Sequence, residues 1–233
     1  MDKIFGSSRV SQDTGEHWLS VSDLMAGLMM VFLFIAIVFM MMTQNENEKI
    51  KDVAVAYQEN QVSIYEALKN EFQGDLDKWG ATIDKETLAF NFQSPDVLFA
   101  NNETQPSETY KIILNDFFPR YIKVLTPFRG SLNEIRLEGH TSSSGPRGSN
   151  DEEAYFYNMQ LSQGRTRAVL EYCFSIMPEE SEWIKKNIAA VGFSSSRLVM
   201  TQGHEDAAKS RRVSFRAITN ADIQIKRILE AKK

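Results

Sequence analysis

Leu24-Met25-Ala26-Gly27-Leu28-Met29-Met30-Val31-Phe32-Leu33-Phe34-Ile35-Ala36-Ile37-Val38-Phe39-Met40-Met41-Met42 contains no charged residue, no proline and no side-chain amide. As a helix this run is about 28 Å long, close to the thickness of a bilayer's hydrocarbon core. It reads as one spanning helix. A secretory leader is the nearest rival, and it needs a basic segment before the run and an Ala-x-Ala-like site after it. Before the run, Lys3 and Arg9 are offset by Asp2, Asp13 and Glu16, and after it comes Met42-Thr43-Gln44-Asn45. Retention as an anchor is expected. Lys3 and Arg9 before the helix and Lys49 and Lys51 after it leave the positive-inside rule nearly balanced.

Asp23 opens the run, after Trp18-Leu19-Ser20-Val21-Ser22. Two readings are open. An aspartate at a helix start caps free backbone N–H groups, a role Ser20 or Ser22 can also fill. If the helix begins near Ser20, Asp23 lies inside it at the membrane edge, where a carboxylate must face protein or water, pair with a partner, or exchange a proton. Six of the ten methionines fall between Met25 and Met42. They suit either a sliding interface or plain contact with lipid.

Asn45 to Gly74 is polar and helix-prone, with Ile50, Ala54, Tyr57, Gln61, Ile64 and Leu68 at spacings of three and four. The stripe fits a short parallel coiled coil or a helix lying against a folded domain. Beyond Gly80, strand and helix patterns alternate. Thr87–Phe92, Ile135–Gly139, Ile188–Phe193 and Arg212–Ile218 read as strands. Pro106–Leu125, Glu153–Phe174, Glu182–Asn187 and Ala221–Lys232 read as helices, with Pro119 expected to bend or interrupt the first. Thr141–Asn150 and Thr201–Lys209 read as loops. The fold class is therefore α+β, helices packed on a sheet.

A net charge of −5 gives no footprint for nucleic acid. The single cysteine, Cys173, excludes an intrachain disulfide framework and reads as a core residue. His17, His140 and His204 are too scattered to nominate a metal site. Phosphate-loop, nucleophile-elbow and zinc-protease motifs are all missing, so the chain is not expected to be an enzyme. Arg165, Arg167, Arg211 and Arg212 could clamp a carboxylate or could be ordinary surface arginines. His140 is a ligand, a switch or a packing residue.

Leu137-Glu138-Gly139-His140-Thr141, then Asn158, then Leu161-Ser162-Gln163-Gly164-Arg165-Thr166-Arg167-Ala168-Val169, and finally Ser210-Arg211-Arg212-Val213-Ser214 resemble the peptidoglycan-binding domains of the OmpA/MotB class. The resemblance runs from about Leu88 to Ile218. The N-terminal part resembles flagellar stator B subunits, whose helix-start aspartate carries the ion; Asp23 matches it. Within this class the chain is similar to the membrane motor subunits of Zorya anti-phage defence.

The resemblance implies a cytoplasmic leader over 1–19, a transmembrane helix over 20–43, a periplasmic helical linker over 44–80 and an OmpA/MotB-like α/β sandwich domain over 81–233. It implies two copies inside a pentamer of a larger MotA-like subunit in the bacterial inner membrane. Proton or sodium would pass Asp23, with no cofactor, while the paired wall domains hold peptidoglycan. Arg165 matches the arginine that grips the diaminopimelate carboxylate, and Asn158 and Leu161 match pocket-wall residues. Thr141 matches a pocket threonine whose backbone offers donors to the peptide. The family's next residue is an aspartate for the peptide's amine; here it is Ser142, for which Asp151 is a candidate substitute. Another ion-driven machine, or a passive tether between inner membrane and wall with Asp23 only a cap, are the alternatives.

Overall fold

Residues 13–93, 95–100 and 102–220 are described by the computed structural model. The expected helix at Ala221–Lys232 and the first twelve residues of the leader lie outside them. The chain divides into two units, Met1–Asp52 and Val53–Lys233.

In the first unit every described side chain from Val21 to Asn45 is exposed, as a helix facing lipid requires. Helix α1 (Asp13–Phe72) is long and apolar enough over Val21–Lys51 to cross a membrane. It begins at Asp13, so Asp23 lies inside the helix and the capping reading falls. At that depth the backbone N–H groups already have intrahelical partners.

In the second unit the last turns of α1 are part of the domain. Ile64, Leu68 and Phe72 are fully buried in its core. Gln61, the polar break in the expected stripe, donates from Nε2 to the carbonyls of Lys85 and Glu86. From Gln61 onward the stripe is therefore occupied within the chain and is not a coiled-coil seam. The exposed apolar residues of this segment, Val55 and Val62, occupy other positions.

Helix α2 (Leu76–Trp79) and strands β1 (Ala81–Ile83) and β2 (Ala89–Phe92) follow, then the short α3 (Pro95–Leu98) and α4 (Glu108–Leu125). The Ser107 hydroxyl caps α4, accepting from the Tyr110 N–H at 3.0 Å. Pro119 does not interrupt α4, which runs on to Leu125. Proline removes one backbone bond, whereas Phe117, Phe118, Tyr121 and Ile122 around it are all buried and hold the helix to the sheet. Strand β3 (Leu132–His140), α5 (Asp151–Ile176), α6 (Ser181–Asn187) and β4 (Ile188–Gly192) come next. A hairpin of β5 (Met200–Thr201) and β6 (His204–Glu205), the single turn α7 (Ala207–Ser210) and β7 (Arg212–Thr219) complete the domain. The hairpin interrupts what reads as a loop, because two-residue strands are too short to carry a period-two signal.

The main sheet runs β1-β2-β7-β3-β4, with β3 and β4 parallel and the other pairs antiparallel. Alternation sorts its two faces. Phe90, Phe92, Leu137, Val213 and Phe215 enter the core with Phe117 and Tyr121 of α4. Phe90 and Phe117 have ring centroids 4.6 Å apart, and Phe117 and Phe215 meet edge-on at 5.0 Å. Cys173 is buried among these groups, and burial pushes its thiol up. The other face carries Asn91, Ser214, Glu138, His140, Arg212 and Arg216.

Candidate functional site

Helix α5 approaches β3 and β4 where both strands have glycine. Gly139 and Gly192 are register partners. A Cβ on Gly139 would meet the Ser162 carbonyl oxygen at 2.6 Å, and one on Gly192 would meet the Gln163 backbone nitrogen at 2.6 Å. This close approach lets the Ser162 hydroxyl accept from the Ser194 N–H at 3.1 Å. It also fixes which residues of α5 stand beside the end of β3. The capping box of Asn150 and Glu153 sets the start of α5.

A cavity of about 330 Å³ opens between α5, the end of β3 and the loop that joins them. Thr141, Ser142, Asn158, Leu161 and Arg165 all line it. Residues far apart in the chain are thus brought to one pocket.

Arg165 is 9% exposed. Its Nε donates to the Glu103 carbonyl at 2.9 Å, and its guanidinium lies 4.8 Å from the centroid of the Phe99 ring. A hydrogen bond and a ring face together fix the plane of the fork, as carboxylate recognition requires. Asn158 donates from Nδ2 to the carbonyls of Ser142 and Ser144, at 3.2 and 2.9 Å. Its amide shapes the loop that forms the pocket rim.

The Thr141 N–H donates to the Ser194 carbonyl at 2.9 Å, so it cannot be the donor expected for a ligand. The Thr141 hydroxyl is buried without a hydrogen-bond partner among the described residues and is the group left for that task. Ser142 is buried in the pocket wall. Asp151, the candidate replacement for the missing aspartate, is exposed at the start of α5 and does not line the cavity. Among the described residues no carboxylate does. Glu205 holds the loop, accepting from the Ser143 N–H at 2.9 Å and also from its hydroxyl.

Of the four candidate arginines, Arg165 and Arg211 line this pocket. Arg167 is exposed and pairs with Glu171 at 2.9 Å. Arg212 belongs to the opposite sheet face. Arg211 was legible only as half of a dibasic pair; alternation at the start of β7 is the signal that separates the two. Phe99, Asn102, Ser144 and Tyr157 also line the pocket and have no motif of their own. The arrangement has two guanidiniums, a buried hydroxyl and an apolar wall from Leu161 and Phe99, so it suits a carboxylate attached to a small apolar stem. Among the described residues no cluster of three His, Cys, Asp or Glu could hold a metal.

The Zorya protein ZorB of Escherichia coli strain Crooks is 50% identical over 234 residues, covering 99% of this chain and 100% of that one. The chain belongs to the ZorB family of Zorya proteins. No family model matches. A putative MotB-like protein from Desulfovibrio vulgaris is 20% identical and superposes with a TM-score of 0.52, over 72% of this chain and 94% of that one. The periplasmic domain of Helicobacter pylori MotB gives 14% identity and a TM-score of 0.43, over 65% of this chain and 97% of that one. The α+β fold is thus MotB-like, and the sequence relationship is to a Zorya protein.

Proposed function

We propose that this chain is the wall-anchored, ion-carrying stator subunit of a membrane motor serving anti-phage defence. The single observation that carries this reading is the convergence of Thr141, Ser142, Asn158, Leu161 and Arg165 on one cavity, in a chain of the ZorB family that also has an apolar helix with Asp23 inside it. Val21–Lys51 crosses the bacterial inner membrane once, with the leader in the cytoplasm and the domain in the periplasm.

In this reading the pocket grips a free carboxylate of a peptidoglycan stem peptide through Arg165, with Arg211 adding positive charge and the Thr141 hydroxyl donating. Asp23 takes up and releases the transported proton or sodium ion as it passes a larger MotA-like partner, five copies of which surround two of this chain. An elementary charge crossing 100 mV releases about 2.3 kcal/mol, so useful work needs repeated transits. Only an anchored subunit turns those transits into torque, and the wall pocket supplies the anchor.

The test compares wild type with Asp23→Asn in cells carrying the complete defence gene set, at matched abundance of the assembled complex. Loss of phage protection in the variant is expected. Full protection would remove the ion-carrying role and leave a passive tether between membrane and wall.

A further inference from the structure

The sheet face turned away from α4 and α5 has a groove of about 520 Å³ that shares no lining residue with the wall pocket. Its floor is the row Asn91–Ser214–Glu138, one residue from each of β2, β7 and β3 in direct register. Ser214 Oγ donates to Asn91 Oδ1 at 2.6 Å. Glu138 is buried, and two guanidiniums face it at long range: Arg197 Nη1 at 3.4 Å and Arg216 Nη1 at 3.7 Å. A third, Arg212, lies in the same wall, its Nη1 donating to the Ser210 carbonyl at 3.2 Å.

The charge is unbalanced. Lys209, also in the wall, is taken up by Asp206 at 3.0 Å. Asp84 at the rim accepts from the N–H and hydroxyl of Thr87, at 2.7 and 2.8 Å. Among the described residues, three guanidiniums therefore face two carboxylates, the buried Glu138 and Asp84 at the rim. The plane of Arg197 is set in advance: its guanidinium lies 3.6 Å from the centroid of the Phe193 ring, and Phe193 stacks on His140 at 5.3 Å and 13°. His140 is 3% exposed and lines the groove; its Nε2 lies 3.4 Å from a Glu138 carboxylate oxygen without hydrogen-bond geometry, and its Nδ1 has no hydrogen-bond partner among the described residues.

We propose that this groove is a second binding site, for a phosphate-type oxyanion held between Arg197, Arg212 and Arg216 with His140 at its inner wall. A planar carboxylate presents two oxygens and one charge, and matches a single guanidinium fork. A tetrahedral oxyanion offers oxygens in three directions, one toward each guanidinium, and adds negative charge where the guanidiniums outnumber Glu138 and Asp84. The site does not depend on the wall-binding reading, because no residue of the wall pocket lines it.

The experiment is calorimetric titration of the full chain in non-ionic detergent, at pH 7.5 and constant ionic strength. Inorganic phosphate is one arm and glycerophosphoglycerol, the deacylated headgroup of an anionic lipid with its singly charged phosphodiester, the other. Saturable binding is expected in at least one arm; tighter binding of glycerophosphoglycerol names a headgroup as the source, and tighter binding of inorganic phosphate names the free ion. Replacing Arg197 and Arg216 together by Gln should weaken binding by about tenfold or more, since two charge-assisted contacts go. Arg165→Ala should leave it unchanged. Should the double variant fail to melt cooperatively, Arg216→Lys keeps the charge, loses the fork, and should still weaken binding measurably. Absence of saturable binding in both arms overturns the proposal. So does undiminished binding in a folded Arg197/Arg216 variant, or a change in oligomeric state without phosphate binding, which would make the groove a contact between copies.

Discussion

His140 and Glu138 stand two residues apart on β3, with His140 Nε2 3.4 Å from a Glu138 carboxylate oxygen. Burial holds the His140 imidazole below its ordinary range, outweighing the pull of Glu138, and Arg212 and Arg197 act in the same direction as burial. Burial alone would raise Glu138, but His140, Arg216 and Arg197 outweigh it and hold the carboxyl below its usual value. Both shifts have the same consequence. A histidine kept neutral by the fold binds fewer protons than in the unfolded chain, so stability rises with pH through that window. Its contribution is complete above about pH 6.5 and is lost as pH falls toward the depressed value. The Glu138 contribution is lost only at still lower pH, as the carboxylate protonates. Thermal melts of the full chain should therefore show a falling midpoint between pH 7.5 and 5, and His140→Gln should flatten that slope. An unchanged slope in the variant would assign the pH dependence elsewhere. At this scale the sequence named His140 without choosing among its roles, because what decides them is the Phe193 ring and the arginines brought to it from other elements.

Two elements depend on contacts that a pattern cannot choose. The stripe at Gln61, Ile64 and Leu68 was visible, but a partner helix and the chain's own domain offer the same apolar match. The domain wins because Phe72 continues the stripe into a cluster with Phe90 and Phe117, with centroids 5.2 and 5.3 Å away. Arg120 then pins the helix end, its Nε 2.7 Å from Glu71 and its guanidinium over the Phe72 ring. Phe72→Ala should cost about 3–5 kcal/mol, read as a lower midpoint in chemical denaturation of the full chain. The approach of α5 to β3 carries the other prediction. A methyl group on Gly139 meets backbone and cannot be relieved by a rotamer change, so Gly139→Ala should cost about 1–3 kcal/mol and loosen the wall pocket as α5 shifts. Equal stability and equal wall retention would mean that α5 can move without disturbing Arg165.

Across the whole molecule the two ends have separable chemistry. Arg165→Ala should reduce retention of the full chain on isolated sacculi while its abundance in the membrane stays at the wild-type level. Retention equal to wild type would remove the pocket from wall binding. Asp23→Asn should leave the same retention intact, because Asp23 and the pocket lie in different units of the chain. By itself the sequence determined the apolar span and the α+β class, since uniform apolarity and periodicity are local properties of a chain, while the five pocket positions, on the loop after β3 and on α5, came from the resemblance of an ordered motif. It could not place Asp23 inside α1, because the helix starts upstream through residues that lack an apolar pattern. Nor could it see that Thr141 gives its N–H to Ser194, that no carboxylate among the described residues enters the wall pocket, or that Arg211 and Arg212 part to opposite faces. Those facts belong to the tertiary structure, because each depends on which backbone groups and charges from distant elements arrive beside the residue, and on the sheet that puts one neighbour on each side.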